Sequence, residues 1–450
     1  MAFAVNFNTY AVQVINSAIA VYNRQGVLQP GFPKSLGAFF PGSTGDVGDP
    51  RAFYDSYNKR FVIVADDFTG GIMYLAASQT DNPTGAWNIY SFNPWGPANC
   101  RASGAACADF PMIGFDNNYP VQALTPGTAT TIYLGVNFFD AAGQVHDYML
   151  LLPKTTIYSG GGFSYNYWYN LSIGGQLVDT VQPVVMTTTG EHPRAGFAVN
   201  TFNGNCAYVS PPCNGLAVWA FSNNLVISGS PGPEISAVVM PTRFNYSLPP
   251  GANEPGYSFG VDTGDVRISG TPIYHTGLIS GSFNTAGSDG LAHLIWFQLR
   301  PILNDNDARC TGTFANACPQ IISAVEENED CFLCGGQGNR GSSFYGTLAA
   351  ADNGDLTMVF EYSDLSTYPE SAYTSRRVTQ SPNVMHDSGI VMCGGSSAVT
   401  NGRWGDYTAA QADVGTAAET FLWFSGQNTG ASGSWSTCVG ANAFTVRTQP

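Results

Sequence analysis

The chain has 450 residues, 44% of them hydrophobic and only 11% charged, with a formal net charge of −15. This is ample apolar material for a core, while the negative excess repels a phosphate backbone and sets nucleic acid aside as a partner. No run of roughly 18 apolar residues occurs, so neither a membrane-spanning helix nor membrane insertion is expected.

In chain order, helical periodicity is nearly absent, with the stretch 407–420 a weak exception, and strand–turn alternation dominates. Residues 10–28, YAVQVINSAIAVYNRQGVL, read as two strands joined at Asn16–Ser17. GDPRAFYDSYNKRFVIVADDF (48–68) opens a run of four strands at 51–55, 60–65, 72–78 and 87–92, with DNPTG making the last turn. Four antiparallel strands in so short a span are the size of one propeller blade.

The pattern returns at DFPMIGFDNN (109–118), VQPVVMTTT (181–189) and VRISGTPIYHTGLISGSFN (266–284), continued by GLAHLIWFQL (290–299). A poorly defined unit covers 300–340. SSFYGTLAAADNGDLTMVFEYS (342–363) is a hairpin with Asn353-Gly354 at its tip. GRWGDYTAAQAD and ETFLWFSG close the series. An acid at Asp49, Asp109 and Asp406 stands where a lead strand opens, followed by a proline or an aromatic. These spacings predict an all-β fold, a single β-propeller over 1–450 with six or seven four-stranded blades, seven being favoured. The N- and C-terminal strands would close one blade between them. Tandem β-sandwich domains with boundaries near 160 and 250 are the alternative.

Eight of the ten cysteines fall into close pairs, Cys100/Cys107, Cys206/Cys213, Cys310/Cys318 and Cys331/Cys334, leaving Cys393 with Cys438. No second CxxC or paired histidines complete a zinc set around CFLC, so disulfides are expected, and with them a secreted, extracellular protein. MAFAVNFNTY lacks a basic start and a continuous apolar stretch, which reads as a mature chain whose leader has been removed. Asn170 and Asn245 are candidate glycan acceptors.

Several motifs, taken together, resemble a broad group of secreted microbial β-propeller proteins. They are INSAIAVYNRQG (15–26), GDPRAFYDSYNKRF (48–61), ADFPMIGFDNN (108–118), FEYSDLSTYPESAYTSRR (360–377) and GRWGDYTAA (402–410). The resemblance implies fold and export, and carries no reaction or catalytic residue with it.

The sharpest catalytic reading is a sialidase-like glycoside hydrolase at the channel mouth. Arg51, Arg377 and Arg403 would hold a sugar carboxylate, and Tyr54, Tyr345 or Tyr407 would act as nucleophile with Glu361 as its base. No Ser-x-Asp-x-Gly-x-Thr-Trp box supports it. The competing structural reading pairs Arg51, Arg60 and Arg403 with Asp49, Asp55 and Asp406. A polysaccharide lyase would draw on His275 as base. Asp305 and Asp307 in LNDNDAR have spacing suited to a structural Ca²⁺; EENED (326–330) adds carboxylates, with a solvated acidic loop as its alternative reading. Aromatic loops at 93–97 and 164–170 offer flat faces for sugar rings. The favoured function is extracellular binding or scaffolding towards a glycan or surface polymer, with Arg51, Tyr54, Asp109, Arg377, Arg403 and Asp406 as ligand-binding candidates. A glycosidase or lyase is the alternative, and a self-associating coat protein the further one.

Overall fold

The computed structural model describes residues 1–6, 9–43, 46–68, 71–94, 108–116, 131–140, 145–187, 193, 195–202, 213–222, 234–304, 320–334, 341–386, 388–399, 401–413 and 419–445. Asp305, Asp307, Cys100, Cys107, Cys206, Cys310 and Cys318 lie outside them.

The fold is all-β, with two short helices, Leu36–Phe39 and Lys154–Ser159. Seven antiparallel groups of three or four strands follow one another along the described chain, spanning 2–35, 47–92, 108–169, 182–246, 273–332, 342–393 and 409–445, with two-stranded hairpins at 172–177 and 252–261 between them. We number these sheets one to seven. All have four strands except the seventh, which has three, and short parallel pairings through Val185–Met186 link the third to the fifth.

Lead strands touch in sequence. Ala2–Val5 packs on Val47–Asp55, which packs on Ala108–Phe115, which meets Gln182–Pro183 and Val185–Met186. The contacts continue through Ile273–His275 and Ser342–Ala350 to Ala409–Asp413, which packs back on Ala2–Val5. Gln411 clips this last junction. Its amide oxygen accepts from Val5 N and Tyr54 N at 3.2 Å each, and its amide nitrogen donates to Tyr54 O at 2.8 Å.

The cores lie between sheets, and strand periodicity explains how one strand serves two of them. Along Arg60–Asp67, Phe61, Ile63 and Ala65 enter the core shared with the first sheet, while Val62 and Val64 enter the core shared with the third. Further apolar clusters join each later pair of neighbours, and Phe3 and Val5 pack with Ala409 and Trp423 between the seventh and first. A strand buried on both faces reads as a continuous apolar run, which is why FVIVA lacks polar alternation.

Several sequence expectations change here. Among the described residues the N-terminal strands form a sheet of their own, with no hydrogen-bonded pairing to the C-terminal strands. Of the region 300–340, the described strand Ile321–Phe332 is the outer strand of the fifth sheet. EENED therefore lies on that strand, where Glu326 pairs with Arg243, and Glu327 with Arg300 at 3.0 Å. The weakly helical stretch 407–420 contains the strand Ala409–Asp413. Its alanines suggest helix, but they sit on a strand buried along most of its length, where small side chains let neighbouring sheets approach.

Candidate functional site

The acid–proline step acts as a bulge inside the lead strand. In the second sheet the register shifts between Gly48 and Arg51, and Asp49 sits at φ +43°. The same irregularity recurs at Phe110 (φ +56°) in the third sheet and at Tyr345 (φ +52°) in the sixth. A bulge breaks the period-2 alternation and re-aims the next side chain. Aspartate tolerates the left-handed conformation better than most residues, and proline suits a position that has lost its ladder hydrogen bond.

The re-aimed residue of the second sheet is Arg51, which is buried. Its Nε donates to Pro111 O at 3.1 Å and its Nη1 to Ser269 O at 2.8 Å. The guanidinium lies 3.5 Å from the Tyr407 ring centroid and 4.8 Å from that of Phe110, a cation–π stack. Tyr407 donates in turn to Pro50 O at 2.9 Å. Arg51, Phe110, Met112 and Tyr407 thus pack together where the second and third sheets meet the segment leading into the seventh. Burial lowers the Arg51 pKa and drives that of the Tyr407 phenol well up.

Beside this plug lies an acidic cluster. One oxygen from each of Asp49, Asp66 and Asp109 lies within 4.8 Å of the other two. Asp49 comes from the bulge, Asp66 from the adjacent strand opposite Gly48, and Asp109 from the third lead strand. Burial, then proximity to Asp49 and Asp109, pushes the Asp66 carboxyl well up; burial and Asp49 raise Asp109 to about 6, against the pull of Arg267.

A cleft of about 270 Å³ opens over Asp49. Asn16 lines it from the first sheet, residues 399, 401 and 403–407 from the segment entering the seventh, and Gln427, Thr429 and Trp435 from the seventh itself. That segment is braced from the hairpin Ala252–Glu254/Tyr257–Val261. Val399 N donates to Glu254 at 2.9 Å, and Asp262 N to Gly402 O at 2.8 Å. Trp435 is 52% exposed, whereas Trp404 and Tyr407 are buried.

The remaining candidates disperse. Arg403 lines the cleft but bonds Asp262 at 2.8 Å and Asp406 at 2.7 Å, which matches the structural reading for Arg403 and Asp406. Arg60 instead donates to Asn58 O and Lys59 O, while Asp55 pairs with Lys154. Tyr54 donates to Asp81 at 2.6 Å. Glu361 is buried between the sixth and seventh sheets, accepting from Gln427 N at 2.9 Å and from Ser371, and burial raises it to about 8. Arg377 stands exposed in a turn closed by Gln380 N to Arg377 O, outside the cleft lining. His275 is buried on the fifth lead strand against Thr187, 3.3 Å away. No Arg–Tyr–Glu constellation gathers in the cleft, because a doubly buried sheet stack directs Glu361 and Tyr54 into interfaces.

Disulfides join Cys331 to Cys334 and Cys393 to Cys438, with Cα separations of 5.4 and 6.4 Å, and Cys213 is also disulfide-bonded. Asn245 is exposed on strand Glu234–Tyr246, and the side chain of Asn170 contacts His146. Sequence reasoning missed Asp66, Asn16, Trp404 and Trp435. A usable signal for Asp66 was present, since FVIVADD ends a doubly buried run on two carboxylates.

No family model matches the chain, and no curated protein does. Among solved structures the fold is similar to fructofuranosidase from Schwanniomyces occidentalis complexed with fructose. The match has 10% identity and a TM-score of 0.29, covering 81% of this chain and 70% of that one.

Proposed function

We propose that the chain is a single seven-bladed β-propeller, exported, that binds a carbohydrate or surface polymer in the cleft over Asp49. The propeller reading rests on lead strands that touch in order and return to the first, and on an apolar cluster between each neighbouring pair. Export follows from the disulfides, which persist in oxidising compartments.

One observation carries the binding reading. An exposed indole, Trp435, shares a cleft with the amide side chains of Asn16, Asn401 and Gln427. A flat apolar face beside convergent donors and acceptors suits a sugar ring and its hydroxyls. Arg403, held by two aspartates, adds a fixed planar edge.

The test is retention of the full chain on a panel of neutral and acidic glycans, with reducing ends and unsaturated uronate scored alongside. Trp435→Ala should weaken binding at least about tenfold, roughly 1.4 kcal/mol, without changing the melting temperature. Retention of no glycan, or retention unaffected by Trp435→Ala, overturns the reading. Turnover of a panel member replaces it with the hydrolase or lyase alternative.

A further inference from the structure

Beside the plug, three carboxylates converge where the second and third sheets meet, two of them buried. Asp66 is fully buried, and neither of its oxygens has a hydrogen-bond partner among the described residues. A buried carboxylate in a native fold is normally satisfied, and an orphan costs several kcal/mol. Both orphan oxygens belong to the group that meets Asp49 and Asp109 within 4.8 Å.

We propose that Asp49, Asp66 and Asp109 bind a divalent cation, calcium by the chemistry of the donors, between the second and third sheets. Oxygens that share one Ca²⁺ at about 2.3–2.6 Å stand no more than about 5 Å apart, and the observed separations meet that limit. The donor set is oxygen only, without imidazole or thiolate, which suits a hard cation over zinc. Asp109 is half-buried, leaving one side open for water to complete the shell. Asn16 donates to Asp49 Oδ1 at 3.4 Å and so orients one ligand from the first sheet. The bulges do the positioning: without the register shift at 48–51, Asp49 would project to the other face of its strand.

This inference stands apart from glycan binding, and the test keeps the two separate by using Asp66, which does not line the cleft. The full chain is stripped with chelator and titrated with Ca²⁺ by calorimetry, and its melting temperature is read with and without Ca²⁺ or Mg²⁺. Wild type should take up one Ca²⁺ and melt higher with it. Asp66→Asn should bind roughly tenfold weaker or worse. It should melt at or above stripped wild type in chelator, since it removes an orphan buried charge and so reports its own folding. A wild type that binds no Ca²⁺, or an Asp66→Asn chain that binds it with unchanged affinity, overturns the proposal. Calcium uptake is read without glycan, so its outcome stands whether or not the cleft binds one, although Asp49 borders both.

Discussion

Replacing Lys154 by methionine should lower the melting temperature by about 3–5 °C. Lys154 and Asp55 are both fully buried and lie 2.7 Å apart across the boundary between the second and third sheets. Lys154 Nζ also donates to Asp116 O at 2.7 Å and sits 4.7 Å from the Phe115 ring centroid. Asp55 is held further by the Tyr158 hydroxyl at 2.9 Å and by the N–H and side-chain amide of Asn58. Methionine keeps the apolar stem and removes the charge, which strands a buried carboxylate. Breaking a buried pair from one side costs about 3–5 kcal/mol. Unfolding entropy of about 2.1 cal/mol/K per residue over 450 residues makes that roughly 1 °C per kcal/mol. Because the Tyr158 and Asn58 donors stay on Asp55, the lower half of the range is favoured. Calorimetric scans of wild type, Lys154→Met, Asp55→Asn and the double variant at neutral pH provide the check. The double variant should recover most of the loss, since it leaves no buried charge unpaired. A Lys154→Met protein melting with wild type, or a double variant no better than Lys154→Met, would refute the reasoning.

Three further outcomes are expected. The Glu361 carboxyl stands at about 8 when folded against 4.5 when exposed. The folded chain therefore keeps a proton that the unfolded chain releases, and this stability is full below 4.5 and lost as pH rises through 8, by about 1.4 kcal/mol per pH unit between them. Glu361→Gln should flatten the decline in melting temperature across that window, and parallel profiles would disprove it. A Cβ at Gly114 would stand 2.6 Å from Pro183 Cβ and 2.7 Å from Val184 O, where the third and fourth sheets meet. Gly114→Ala should thus cost about 1–3 kcal/mol by urea unfolding, and an unmoved midpoint would contradict the close approach. Cys393–Cys438 ties the edge strand of the sixth sheet to the last strand of the seventh. Replacing both by serine should lose about 2–4 kcal/mol by the same assay, and no loss would mean the tie is dispensable.

The second sheet was nearly complete in the sequence. Its expected strands at 60–65, 72–78 and 87–92 match Arg60–Asp67, Ile72–Ser78 and Trp87–Phe92, because turn residues and apolar runs are local signals. The sixth sheet's hairpin at Asn353-Gly354 is equally plain, with Gly354 at φ +86° and Ala351 N donating to Asp355 O at 2.8 Å. Less legible were the bulges. Asp49 was read as standing at a strand's mouth, yet the strand begins at Val47 and Asp49 lies within it.

What the residue order determined by itself was strand content, turn positions, the low charge and the cysteine pairs at 331/334 and 393/438, all set by interactions over a few residues or by composition. Which sheet neighbours which, and where a polar side chain ends up, was decided by packing. Glu361 and Tyr54 looked available from their local context, and tertiary contacts turned both into interface residues. Asp66, at the end of an apolar strand, was brought to Asp49 and Asp109 by a register shift and a sheet-to-sheet contact. Neither leaves a trace in local periodicity, because each depends on residues that are distant along the chain.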